Sequence, residues 1–147
     1  MSRYMEMALE QARLAAGRGE VPVGAVIVSE RGEVLAANGN RTRADSDPTA
    51  HAEVLVIREA ARKLQDERLN GCDLYVTLEP CPMCAGAISF ARLRRVYFGA
   101  SDPKGGGVEH GPRVFSHATC HHRPEVYGGL SETAAAEILR AFFAERR

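Results

Sequence analysis

The sequence predicts an α/β fold, a mixed sheet with helices packed on it. Three observations carry this. Val21 to Val28 is an apolar run rich in β-branched residues, Glu30-Arg31-Gly32 is a turn, and Glu33 to Ala37 returns as a second strand, so the three read as a hairpin. After the hairpin, helical and strand patterns alternate, as they do when helices link the strands of one sheet. Near each end of the chain, apolar residues recur at helical spacing.

Residues 2–16 form the first amphipathic helix, with Tyr4, Ala8, Leu9, Ala12 and Ala15 along one side and Gly17 and Gly19 ending it. Residues 38–47, after the hairpin, are polar and loop-like. Asp47-Pro48 predicts the next helix start, because Asp suits the N-cap and Pro the first helical position. Ala50, Val54, Ile57, Ala61 and Leu64 would give that helix its apolar face. Asn70-Gly71 closes the following connection. Leu74 to Leu78 is a third buried strand that runs into Glu79-Pro80. Pro82 begins a helix through Ala91, and Arg95 to Ala100 is a fourth strand. Residues 101–124 are rich in Gly, Pro and His and read as a recognition loop. Ser131 to Arg146 is the last helix, capped by Ser131, with Ala135, Ile138 and Phe142 on one face.

The 147 residues fit one domain, 1–147, large enough to bury a core without disulfides. No apolar run approaches the roughly 20 residues of a membrane span, and the N-terminus lacks an apolar signal core. The expectation is a cytoplasmic protein with no membrane partner. A formal net charge of zero argues against a broadly basic surface, though not against a local basic patch. Arg92, Arg94 and Arg95 fit either a phosphate patch or a solvated helix end. Of four cysteines, Cys81 and Cys84 share a C-x-x-C spacing, and Cys72 and Cys120 are expected as free thiols in or near the core.

The chemistry is concentrated in His51-Ala52-Glu53 and Pro80-Cys81-Pro82-Met83-Cys84. One imidazole and two thiols suit a Zn²⁺ ion, and three protein ligands leave a coordination position open for water. Glu53 is then the proton carrier. His-x-Glu followed by Pro-Cys-x-x-Cys is the known signature of zinc deaminases that act on nucleobases. On a regular helix, residues two apart point in nearly opposite directions. His51 and Glu53 therefore serve one site only if the metal lies at a helix end. The competing reading is a closed zinc site with Cys120, His121 or His122 as fourth ligand. A redox C-x-x-C pair is a weaker competitor, since it leaves His51 and Glu53 without a role.

Around these motifs, Val21-Pro22-Val23-Gly24-Ala25-Val26, Asp47-Pro48-Thr49-Ala50-His51-Ala52-Glu53, Leu74 to Cys81, Met83-Cys84-Ala85-Gly86-Ala87-Ile88 and Tyr97-Phe98-Gly99-Ala100-x-Asp102 resemble the bacterial tRNA adenosine deaminases, within the cytidine/deoxycytidylate deaminase superfamily. The resemblance implies a cytidine-deaminase-like three-layer sandwich, with a central five-stranded mixed sheet and helices on both faces, that forms a homodimer. It implies zinc-dependent hydrolysis of the wobble adenosine of a tRNA anticodon to inosine, with the anticodon stem-loop as partner and no DNA. It also implies one Zn²⁺ per subunit on His51, Cys81 and Cys84, and Glu53 as proton shuttle. Asn40 would hydrogen-bond the base, Val23 would line the pocket, and Asp102 would lie near the RNA strand beside the flipped base. The chain departs from the family pattern between Gly105 and His122, where Cys120-His121-His122 stands in place of an Asn-His pair. The alternative within the same chemistry is a free-base or nucleoside deaminase acting on guanine or cytosine.

Overall fold

A computed structural model describes residues 2–146 of the chain. Its centre is a five-stranded sheet in the order β2-β1-β3-β4-β5. β1 (Gly24–Val28) and β2 (Val34–Gly39) form the expected antiparallel hairpin, and β1 also pairs antiparallel with β3 (Asp73–Leu78). β3, β4 (Arg95–Ala100) and β5 (Glu125–Tyr127) run parallel. The mixed sheet places the C-terminal ends of β3 and β4 together on one side of the fold.

Strand residues alternate between two apolar layers. Ala25, Ile27, Leu74, Val76, Val96 and Phe98 point to the layer that also holds α2 (Ala52–Leu64) and α3 (Pro82–Ala91). Val26, Val28 and Tyr75 point to the layer with α1 (Arg3–Gly17) and α4 (Glu132–Ala144). Helices therefore cover both faces. α1 lies directly on the hairpin backbone, where a Cβ at Gly24 would sit 1.9 Å from the Ala8 carbonyl oxygen. β1 begins at this close approach, at Gly24 instead of Val21. Ahead of it the Val23 N–H turns back to the Val21 carbonyl, and the Val23 carbonyl accepts from Asn40 N–H.

Two helix starts need correction. The second helix starts at Ala52, not after Asp47: the Asp47 carboxylate accepts from the Thr49 N–H and hydroxyl, closing a local turn instead of capping a helix. The inward face of α2 is consequently Ala52, Glu53, Val56 and Ala60, while Leu64 is exposed. Ser131 precedes α4 in the left-handed region, at φ 55°, and its side chain makes no capping hydrogen bond. Arg94 forms a two-point pair with Asp73 at 3.0 and 2.9 Å, and Arg95 lies 3.6 Å from Glu125. These arginines thus face carboxylates at the N-terminal ends of β3 and β5, remote from the Cys81 turn. Cys72 is a buried free thiol, and Cys120 is a free thiol packed against the core.

Candidate metal and active site

Two helix starts build the site. His51 is the N-cap of α2 and Cys81 the N-cap of α3, both in extended backbone conformation, with Pro82 opening α3. The His51 Nδ1 atom lies 3.6 Å from Cys81 Sγ and 3.5 Å from Cys84 Sγ. All three donor atoms fall within 4.8 Å of one another. Zn–S bonds of about 2.3 Å and a Zn–N bond of about 2.05 Å at a tetrahedral angle require N···S separations of about 3.6 Å. The residues present therefore fit zinc in both donor chemistry and spacing.

Among the described residues, this donor group has no fourth member. Cys120 instead contacts the Ser89 hydroxyl and the His122 carbonyl, and His122 bonds through Nε2 to the Leu93 carbonyl. With His121, Cys120 lines a separate groove of about 390 Å³ against Phe90 of α3.

Electrostatics at the two helix ends favour an anionic, proton-exchanging site. The Cys84 thiol pulls Cys81 down to about 4, against the opposing effect of burial and with help from His51. The same contact, together with burial, pushes Cys84 up. A helix N-terminus adds to the preference for thiolate at Cys81. Glu53 is 4% exposed at the start of α2. Burial pushes its carboxyl up to about 7, reinforced by the Cys81 thiolate and opposed by its own N–H and by His51.

Asn40 ends the hairpin side of the site. It is buried, and its Oδ1 accepts from Ala52 N–H at 2.8 Å. Asn40 thereby caps α2 from twelve positions upstream, where His51 itself makes no side-chain cap. Val23 is buried next to it through the Asn40 N–H to Val23 carbonyl bond. Asp102, just past the end of β4, lines a cleft of about 470 Å³ with Val21, Leu78, Lys104 and Phe143. Its Oδ1 accepts from the Lys104 and Gly105 N–H groups.

The two least exposed carboxylates, Glu20 and Glu79, were not singled out by the sequence. Glu20, 1% exposed, accepts from the Thr42 hydroxyl and the Arg43 and Ala44 N–H groups, fixing the loop that follows Asn40. Glu79, 2% exposed, accepts from the backbone of Asp102, Val108, Glu109 and His110. A Glu closing an apolar strand, two residues before Cys81, was the one available signal for Glu79. Glu20 offered none, because its partners lie more than twenty positions away.

The sequence profile of the cytidine and deoxycytidylate deaminase zinc-binding region matches residues 1–100. A tRNA-specific adenosine deaminase of Agrobacterium fabrum is 62% identical over 146 residues, covering 99% of this chain and 95% of the relative. A solved structure from work on A-to-I editing by tRNA:A34 deaminases at the wobble position superposes with a TM-score of 0.92 at 62% identity, over 95% of this chain and all (100%) of the other. A guanine deaminase from Nitrosomonas europaea superposes with a TM-score of 0.78 at 27% identity, over 96% and 83% of the two chains. With this fold, donor cluster and sequence likeness, the chain belongs to the zinc-binding cytidine and deoxycytidylate deaminase family.

Proposed function

We propose that this protein converts the wobble adenosine of a tRNA anticodon to inosine by zinc-dependent hydrolysis. The observation that carries the reading is the buried Glu53 carboxyl beside a three-donor cluster at two meeting helix N-termini. The extent of likeness to the A. fabrum enzyme supports the choice of substrate.

His51, Cys81 and Cys84 would hold the zinc, which when bound acts as a Lewis acid and acidifies water. Glu53 takes a proton from the attacking water, passes it to a ring nitrogen and assists the departing amine. Positioned proton transfer of this kind contributes about 10²- to 10⁴-fold. Since the Asn40 oxygen is committed to Ala52, its Nδ2 is the group that donates to an acceptor on the base edge. Val23 closes the pocket wall beside it. Asp102 and Phe143 line one cleft, and the RNA strand beside the flipped base would run along it.

A second copy of the chain covers the outer face of α3. There Phe90 is 85% exposed beside the groove lined by Val114, His117 and Cys120. A protruding ring and an apolar groove on one face suit self-complementary pairing about a two-fold axis. No helix among the described residues is long and apolar enough to cross a membrane, and a cytoplasmic location follows from the proposed tRNA substrate.

Incubation with anticodon stem-loop RNA, guanine, cytosine and cytidine, scored for ammonia and for inosine in the RNA, tests the substrate. Inosine formation is expected. Turnover of guanine with none of the RNA would favour the free-base reading, for which the guanine deaminase likeness is the supporting observation.

A further inference from the structure

Segment 102–111 has neither helix nor strand, yet it packs against the metal turn. Backbone N–H groups in such a segment need partners from elsewhere. Consecutive N–H groups of Val108, Glu109 and His110 converge on Glu79 Oε2 at 3.2, 2.9 and 3.0 Å. The other oxygen, Oε1, accepts from Asp102 N–H at 3.0 Å and from His110 Nδ1 at 2.7 Å. An ionised carboxylate only accepts, which places the His110 ring proton on Nδ1. Glu79 is fully covered while the His110 ring is 36% exposed, so the imidazole seals the carboxylate from solvent.

The contact reaches the metal turn through backbone. Gly107 N–H donates to the Pro80 carbonyl at 2.8 Å. A Cβ at Gly106 would lie 2.4 Å from Glu79 Oε2, and one at Gly107 would lie 2.6 Å from Pro82 N. The same carboxylate therefore holds one end of the segment at Asp102, on the cleft, and the other at His110.

We propose that Glu79 and His110 are a positioning pair that sets segment 102–111, and through Asp102 the cleft wall that meets the RNA strand beside the target base. The RNA-facing half rests on the substrate assignment above. His110 is the point of test, because it is partly exposed and lies outside the donor cluster.

Zinc-loaded protein is compared as wild type, His110→Phe and His110→Asn. The Asn amide stands where the imidazole Nδ1 donates. Amide hydrogen exchange at residues 108–110, zinc content, and kcat and KM on anticodon stem-loop RNA are measured. In His110→Phe, protection at 108–110 is expected to fall about ten- to a hundredfold, the range for a hydrogen bond to a charged group. KM should rise about tenfold while kcat and zinc content hold, and His110→Asn should recover most of both losses. Unchanged protection, lost protection with unmoved KM, or a fall in kcat with steady KM would overturn the proposal. Failure of the wild type to deaminate the RNA would sink the substrate assignment and the RNA-facing half with it, and hydrogen exchange would still decide the Glu79–His110 contact.

Discussion

Replacing Gly107 by alanine tests whether the loop after β4 and the Cys81 turn are packed as one unit. Gly107 is buried, and its φ lies outside the left-handed region, so the substitution adds no backbone strain of that kind. What it adds is a methyl group 2.6 Å from Pro82 N, 2.7 Å from Pro82 Cα and 2.9 Å from the Cys81 carbonyl carbon. Ordinary contact begins near 3.4 Å. One of the two backbones must therefore retreat by about 0.8 Å, far up the repulsive wall of the contact potential. Neither side is loose, since Gly107 is hydrogen-bonded to Pro80 and to Val114. Overpacking of this kind costs about 1–3 kcal/mol. Because the displaced atoms belong to Cys81 and Pro82, zinc affinity should fall about 10- to 100-fold, as when a support for metal ligands is disturbed. Competition against a chromophoric chelator reads the affinity, and urea unfolding of the zinc-loaded protein reads the stability. Gly17→Ala is the control: a Cβ there meets nothing within 4 Å. Wild-type zinc affinity and stability in Gly107→Ala would refute the close packing.

Three further outcomes are expected. Glu53→Gln should retain zinc by elemental analysis, since Glu53 is outside the donor cluster, and lose about 10²- to 10⁴-fold in kcat; near-wild-type turnover would remove its role as proton carrier. Asn40→Asp keeps the oxygen that accepts from Ala52 N–H but loses the amide donor, so the protein should stay folded while kcat/KM on RNA drops about 10- to 100-fold; an unchanged kcat/KM would show that Asn40 serves α2 alone. At Glu20, burial pushes the carboxyl up, but the Ala44 and Arg43 N–H groups, the Thr42 hydroxyl and the nearby Arg18 together bring it below its ordinary value. A lowered folded pKa means that its stabilisation is present above the unfolded value of 4.5 and is lost as pH falls through the folded one. Glu20→Gln should thus cost about 1.5–3 kcal/mol at pH 7 in urea unfolding, and the gap to wild type should close as pH drops below about 4.5. A gap independent of pH would contradict the assignment.

The donor cluster proposed to hold zinc was legible because its chemistry is tied to a spacing. Cys81 and Cys84 are fixed by a C-x-x-C at a proline-led helix start, which needs only local geometry. The strands were legible where apolar runs were long, as in β3 and β4. β5 was invisible as a pattern: Glu125–Tyr127 is three residues long and shows no usable alternation. The start of α2 was misread because Asp47-Pro48 offers a good local cap that the chain spends on a turn. The cap that operates is Asn40, which the fold brings in from the end of the hairpin. With that start shifted, the helix turns Glu53 inward, contrary to the pattern of its apolar residues. The requirement that His51 and Glu53 meet at a helix end was readable from their spacing, and His51 as the N-cap of α2 meets it. Glu20 and Glu79 stayed hidden because a buried carboxylate is justified only by donors that folding delivers.

Zinc-edge X-ray absorption on the loaded protein probes the open site most directly. A shell of two sulfurs at about 2.3 Å, one imidazole and one further light atom is expected from His51, Cys81, Cys84 and a solvent position. Three sulfurs or two imidazoles would mean that Cys120, His121 or His122 closes the coordination sphere, leaving no place for water to react.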